Sequence, residues 1–361
     1  MKNYKRFLII NVLVFSLALQ TGQACTTFSL AHDGQQVFGK NYDWHLDRGL
    51  MIINKRGVLK KAMPGTQKDP GRYAVWTSKY GSLTFNQYGR EMPLGGINEA
   101  GLVVELMMLV GTKYPEPDAR HAIKDLQWIQ YQLDNFSRVE EVISSDAQLR
   151  ILTYEEPGLH FLVADNTGNC AIIEFLDGKL NLHTQDTMTV KALANNTYAE
   201  SREFLKMHKG FGGQFPIAKG ESSLIRFIYT AKMLKSYNPL VQKSIVDYAF
   251  DILANVSQSS TKWSIVYDQQ SLRVYLRTSL NQKIRYVDLN SLNFSCAIPV
   301  KVLDITADLS GNIGNEFYEY SRQINLDLIR YAIKGTSFMR NMPEQFIDQR
   351  AKYPESTYCA E

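Results

Sequence analysis

A cysteine set between a secretory-type leader and a run of strand-forming residues constrains this chain more than any other feature. Lys2, Lys5 and Arg6 precede an apolar stretch from Phe7 to Leu19 that is broken only by Asn11 and Ser16, and Gly22-Gln23-Ala24 supplies the small-x-small triplet that signal peptidase recognises. A stretch of 13 residues falls short of the roughly 20 that a membrane span needs. We therefore expect residues 1–24 to be removed, leaving Cys25 as the N-terminus of a mature chain of 337 residues. No later apolar run is long enough to cross a bilayer.

Two chemistries begin with a terminal cysteine. In bacterial lipoproteins the thiol carries a lipid; in some hydrolases the thiol is a nucleophile and its own α-amine is the base. Lipid attachment prefers a bulky aliphatic residue three places before the cysteine and a polar linker after it. Here Gly22 stands before, and Thr26-Thr27-Phe28-Ser29-Leu30 follows at once. The catalytic reading is favoured. An α-amine with a pKa of about 7.7–8.0 accepts a thiol proton near neutrality, so no separate histidine base is required.

Asp33-Gly34 between two alternating runs is a hairpin signal. With those two residues as the loop, facing positions sum to 67, so that His32 faces Gln35 and Cys25 faces Tyr42. Side-chain alternation then places Lys40 and Trp44 on the thiol's face and Asp43 on the other. A cation such as Lys40 favours thiolate, and Asp43 can reach the chain end if a bulge intervenes. An exposed ion pair is the alternative for Lys40 and Asp43, and core packing the alternative for Trp44.

Apolar residues make up 45% of the chain and charged residues 21%, which supports a large core and excludes disorder. The formal charge of +4 falls to +1 once the leader is removed, so no nucleic-acid footprint is expected. We read one domain over residues 25–361, without repeats or low-complexity linkers. Strand character appears at 25–31, 35–42, 50–55, 73–85, 101–109, 159–165, 169–175, 188–194, 263–268, 272–277 and 282–288. Helical periodicity appears at 121–136, 138–144, 198–208, 222–236, 241–256 and about 316–334. Strands in runs with helices gathered between them indicate an α+β layered fold. The six histidines are scattered without metal-ligand spacing, no P-loop or G-x-S-x-G motif occurs, and no metal or cofactor is expected. Cys170 reads as core; Cys296 and Cys359 are free to pair in an oxidising compartment.

With Cys25 behind a leader, the hairpin and Gly39-Lys40-Asn41-Tyr42-Asp43-Trp44, the chain resembles the choloylglycine hydrolase family, which includes bile salt hydrolases and penicillin V acylases. Further matches follow in the family's order: Gly96 through Leu102, Trp128 through Val142, Leu193-Ala194-Asn195-Asn196, Leu224 through Ile228, and Thr261 through Ser264. The resemblance implies a four-layer αββα sandwich of two antiparallel sheets flanked by helices. It implies that Cys25 attacks a linear amide through an acyl-thioester, that Asp43 orients the α-amine, that Asn195 donates to the oxyanion and that Arg226 holds the surrounding network. Lys40 stands where most relatives have arginine, which keeps the charge and loses the bidentate fork. The second oxyanion position aligns near Met108, which has no side-chain donor. Trp44 and Met108 are candidate substrate-binding residues, with core packing as the alternative. Asp43-Trp44 resembles the Gram-negative branch. The resemblance thus implies a periplasmic or secreted enzyme, acting on penicillin V, a conjugated bile salt or an N-acyl homoserine lactone, with a homotetramer as its possible assembly. The competing expectation is a non-catalytic binder of the same fold, either lipid-anchored at Cys25 or degenerate at the oxyanion hole.

Overall fold

The computed structural model describes residues 25–65, 72–152, 158–241 and 244–360. The expected leader, 1–24, and part of the 56–72 loop lie outside them. Two large sheets form the centre. The first runs in the order Ala192–Leu193, Thr26–His32, Gln35–Asp43, Thr261–Asp268, Arg273–Thr278, Arg285–Asp288 and Gly311–Asn312. The second has nine strands, with Leu159–Ala164, Val103–Met108, Pro93–Asn98 and Ser82–Asn86 at its middle and Leu50–Asn54 beyond them. Every pairing in these two sheets is antiparallel except that of Arg285–Asp288 with Gly311–Asn312.

The sheets face each other, and helices cover their outer faces. Helices Ser223–Ser236 and Ile245–Asn255 pack on the first sheet, and Asp125–Asn135 packs on the second. Because both faces of each sheet are buried, the strands lack a clean apolar–polar alternation. Leu50–Asn54 illustrates the division. Met51 and Ile53 join the main core, whereas Leu50 and Ile52 pack against Leu328 of helix Arg322–Gly335. The helices begin where sequence chemistry supplies caps: Ser222 accepts from the Ile225 N–H, Ser244 from Asp247, and Thr197 with Glu200 forms a capping box.

The hairpin has the expected register, with seven pairs from Thr26↔Asn41 to His32↔Gln35. Asp33 and Gly34 both adopt positive φ, 48° and 76°, as a two-residue hairpin loop requires. Several local expectations need correction. Residues 73–85 form two strands, Val75–Thr77 and Ser82–Asn86, separated by a bend. His121–Ile123 is a strand paired in parallel with Leu149–Ile151, so the helix expected from 121 begins at Asp125. Residues 188–194 hold only the two-residue strand Ala192–Leu193, and the last predicted helix starts at Arg322 rather than 316. The strand Lys179–Thr184 and the helix Glu344–Lys352 were not anticipated; both carry alternating or frequent polar residues.

Cys296 and Cys359 form a disulfide with Cα atoms 5.7 Å apart, and Cys170 is buried in the core as expected. Strand Tyr358–Cys359 pairs with Val58–Lys61 in a three-stranded sheet completed by Val75–Thr77, and the disulfide ties that sheet to the segment before strand Lys301–Asp304. Among the described residues no helix is long and apolar enough to cross a membrane.

Candidate active site

Cys25 lies at the start of the first strand and is 5% exposed. Three residues, Lys40, Asp43 and Arg226, act on its thiol. Burial raises the thiol pKa and the Asp43 charge adds to that rise, while the Lys40 charge, a hydrogen bond from the Asp43 backbone N–H and the Arg226 charge act in the opposite direction. Asp43 is fully buried at the far end of the hairpin partner strand. Burial raises its carboxyl to about 6, against the opposing hydrogen bond from Thr261 and the charges of Arg226 and Lys40.

The expected placement of Asp43 off the thiol's face is consistent with its partners. Arg226, on the helix that covers the sheet's outer side, has Nη1 3.8 Å from Asp43 Oδ2. The same guanidinium donates to Cys25 O at 2.7 Å, to Thr26 Oγ1, and through Nη2 to Asn195 Oδ1 at 3.1 Å. A bulge is present as well, but on the neighbouring strand: the register shifts between Thr261 and Trp263. Thr261 then faces Asp43, and its hydroxyl donates to Oδ1. Asp43 Oδ2 is buried and accepts no hydrogen bond among the described residues.

Asn195 has its amide orientation fixed at both ends. Oδ1 accepts from Arg226, and Nδ2 donates to Met108 O at 2.7 Å. An amide nitrogen carries two hydrogens, so one N–H remains for a ligand. Met108 thus touches the site residues through its backbone carbonyl. Its side chain is only half-buried. The backbone nitrogens of Asn195 and Asn196 donate to Ser223 Oγ at 2.7 and 3.0 Å, which ties the loop to the first turn of the Arg226 helix. The Trp44 ring lies 6.3 Å from that of Tyr42, the residue expected opposite Cys25.

Lys40 points across to the second sheet. Its ammonium donates to Leu106 O and to Met107 Sδ, and lies 3.5 Å from Glu105 Oε2. Glu105 also accepts from Tyr267 Oη. A Cβ at Gly95 would come within 2.2 Å of the Glu105 carboxyl carbon, so glycine is required there for the acid to fit. Burial raises Glu105 to about 7 despite Lys40 and Tyr267. Folding therefore favours its protonated form, and this contribution to stability falls as pH rises from about 4.5 to 7. Glu105→Gln abolishes that slope. Urea unfolding at pH 5 and 7.5 is expected to show the variant gaining on wild type by on the order of 2 kcal/mol at the higher pH; a pH-independent difference contradicts this.

Sequence reading missed Glu105, Glu174 and His160. His160 Nδ1 lies 3.1 Å from Glu174 Oε1, and Nε2 lies 2.8 Å from Ala194 O. Glu174 also accepts from the Tyr198 N–H at 2.9 Å. Burial opposes its charge, yet hydrogen bonds from His160, His183 and Tyr198 bring its pKa down to about 2. These two side chains thus hold the backbone on both sides of Asn195. The available signal was a single acid inside an otherwise apolar strand, as in Cys170–Leu176 and Val103–Met108. Among the described residues no cluster of three or more His, Cys, Asp or Glu has metal-site geometry.

Comparison with known proteins gives this geometry a family. The model of the linear amide C–N hydrolases, choloylglycine hydrolase family, matches residues 25–218. A penicillin V acylase of Pectobacterium atrosepticum is 26% identical over 343 residues, covering 81% of this chain and 89% of that protein. The fold is similar to that of a penicillin V acylase from Agrobacterium tumefaciens, with a TM-score of 0.67 and 24% identity over 82% of this chain and 98% of the other. It is similar also to a mutant conjugated bile acid hydrolase from Clostridium perfringens, with a TM-score of 0.63 and 20% identity over 80% and 98%. The layering of two large antiparallel sheets flanked by helices is thus the fold of these solved structures, and the chain belongs to the choloylglycine hydrolase family of linear amide C–N hydrolases.

Proposed function

We propose that Cys25, freed at its α-amine by removal of residues 1–24, is the nucleophile of an amidohydrolase acting on N-acyl compounds with an apolar acyl part. The observation that carries this reading is one guanidinium, Arg226, that reaches both the Cys25 carbonyl and the Asp43 carboxylate. Arg226 holds the Cys25 carbonyl, and Asp43 Oδ2 is a buried, ionisable acceptor with no hydrogen bond of its own. An α-ammonium at Cys25 is the donor that such an oxygen lacks, and its charge would offset the burial that raises the Asp43 pKa.

The α-amine takes the thiol proton, and the Cys25 thiolate attacks the amide carbonyl carbon. The developing oxyanion is met by the remaining N–H of Asn195. As the tetrahedral intermediate collapses, the C–N bond breaks and the leaving amine takes the proton from the α-ammonium. Water, activated by the same amine, then cleaves the thioester to release the acid and restore the thiol. Lys40, on the partner strand of the same sheet, opposes the burial that raises the thiol. Asn195→Ala should lower kcat by about 10²–10³, with Arg226→Lys also reduced because one nitrogen replaces a fork that serves Cys25, Thr26 and Asn195.

The apolar acyl side is supported by Tyr42 on the hairpin partner strand, with the Trp44 ring beside it, by Met107 against Lys40, and by the names of the relatives. The Cys296–Cys359 disulfide supports export, since such bonds persist in oxidising compartments; we place the protein in the periplasm or outside the cell. The test is a panel of penicillin V, glycine- and taurine-conjugated bile salts and N-acyl homoserine lactones, assayed with wild type and Asn195→Ala. Release of free amine by wild type, reduced in the variant, is expected. Binding without amine release from any member would favour the non-catalytic binder.

A further inference from the structure

Away from Cys25, a cavity of about 610 Å³ opens between the first strand and the helical layer. That volume is in the range of small-molecule sites. Leu30, Val190, Leu205 and Leu234 supply apolar lining. Four cations border it: Lys191, Arg202, Lys206 and Lys235. The adjacent acid is Glu203, whose Oε1 lies 2.7 Å from Lys206 and 3.6 Å from Arg202. One carboxylate thus stands among four cations, in a chain whose mature net charge is only +1.

Lys206 and Arg202 share the single Glu203 carboxylate, whereas Lys191 and Lys235 are held in place without being neutralised. Lys191 Nζ donates to Gly168 O at 2.8 Å, and Lys235 Nζ to Gly210 O at 2.9 Å. Lys235 also sits 5.5 Å from the centre of the Phe211 ring, itself part of the wall. Arg202 Nε is buried and makes no hydrogen bond among the described residues. Carbonyls and a ring face orient a cation but leave its charge uncompensated, so the rim retains its attraction for an anion. An apolar interior under such a rim matches one kind of occupant: a carboxylate carried on an apolar body.

We infer that this cavity is a second binding site, distinct from the one at Cys25, for an amphiphilic carboxylate whose apolar body lies against Leu30, Leu205 and Leu234 and whose anionic head meets Arg202 and Lys235. Neither the cavity nor this inference depends on the role given to Cys25. The site shares two elements with the active centre. Helix Ser223–Ser236 carries Arg226 as well as Leu234 and Lys235, and strand Thr26–His32 begins beside Cys25 and ends at the cavity. Arg226 and Leu234 are eight positions apart, roughly 12 Å along the helix.

The experiment is isothermal titration of the full-length exported protein with decanoate, and separately with decyltrimethylammonium, each below its micelle concentration. Saturable binding of decanoate at one site per chain is expected, weakening as ionic strength rises, with no comparable binding of the cationic amphiphile. The double variant Arg202→Glu/Lys235→Glu alters two surface charges and should bind decanoate at least tenfold more weakly, while its circular dichroism and amide turnover match wild type. Alkylation of Cys25 should leave decanoate binding unchanged. Absence of saturable decanoate binding would overturn the proposal. Equal binding of the cation, undiminished affinity in the double variant, or loss of binding when Cys25 is alkylated would overturn it as well.

Discussion

Cys25→Ser is expected to lower amide hydrolysis by about four to six orders of magnitude while leaving the protein folded. Serine keeps the shape of the side chain, so the packing of a residue only 5% exposed changes little. What changes is the acidity of the nucleophile. Burial raises the Cys25 thiol, and the Lys40 charge opposes that rise, so the thiol can still pass its proton to an α-amine whose ordinary pKa is near 8. A hydroxyl allows no such transfer, and the amine cannot hold its proton. Steady-state release of amine, with circular dichroism and unfolding midpoint as controls, gives the answer. A folded Cys25→Ser protein that keeps a tenth or more of wild-type turnover would remove Cys25 from the reaction.

Lys60→Met is expected to cost about 3–5 kcal/mol of stability at pH 7, although it lies away from the thiol. Lys60 Nζ is 2.6 Å from Glu91 Oε2 and 2.9 Å from Asp134 Oδ2, and all three side chains are buried. Burial disfavours its ammonium, but the two carboxylates outweigh burial and raise the Lys60 pKa. Asp134 accepts further bonds from Trp76 Nε1 and Gln130 Nε2, so the cluster joins the three-stranded sheet to helix Asp125–Asn135. Methionine fills the space but leaves two buried carboxylates facing each other. One of them can then relieve the repulsion only by taking a proton, so the loss should shrink as pH falls toward 5. Denaturant unfolding at pH 7 and pH 5 checks both parts. A loss under 1 kcal/mol at pH 7, or one that grows on acidification, contradicts this account of the cluster.

The parts of the site that were legible in sequence are those governed by local geometry. The Asp33-Gly34 turn sets a register, the register sets which residues share a face, and Lys40 and Asp43 fall as that alternation requires. Arg226 and Asn195 were reached only through the family resemblance, because no local rule brings positions 195 and 226 to residue 25. The bulge that aligns Thr261 with Asp43 arises where strands Gln35–Asp43 and Thr261–Asp268 meet and has no mark in either strand alone. Glu105 and Glu174 interrupt apolar strands, which reads as an exposed edge until the second layer is known to cover them. The helix expected from His121 failed at its start for a related reason. Its first residues, His121–Ile123, pair with Leu149–Ile151, a contact made across 25 intervening residues that outweighs local periodicity.

The departure at Lys40 also has a structural reading. An arginine fork would place a planar, five-donor group against the second sheet. Lysine directs its ammonium to Leu106 O, Met107 Sδ and Glu105, all on one strand. Its charge remains near the thiol, and that is the property the chemistry requires.

The claim on which the rest depends is that Cys25 is a free N-terminal nucleophile, and intact-mass and N-terminal analysis of protein exported from a bacterial host, with and without iodoacetamide, tests it most directly. Cys296 and Cys359 are joined, and Cys25 and Cys170 are both buried; only a terminal Cys25 has its own α-amine to take the thiol proton, so rapid alkylation should be confined to that thiol. The account predicts a mass beginning at unmodified Cys25, a rise equal to a single carbamidomethyl group, and loss of amide turnover in parallel. A lipid-sized increment on Cys25, or a leader still attached to an active enzyme, would contradict it.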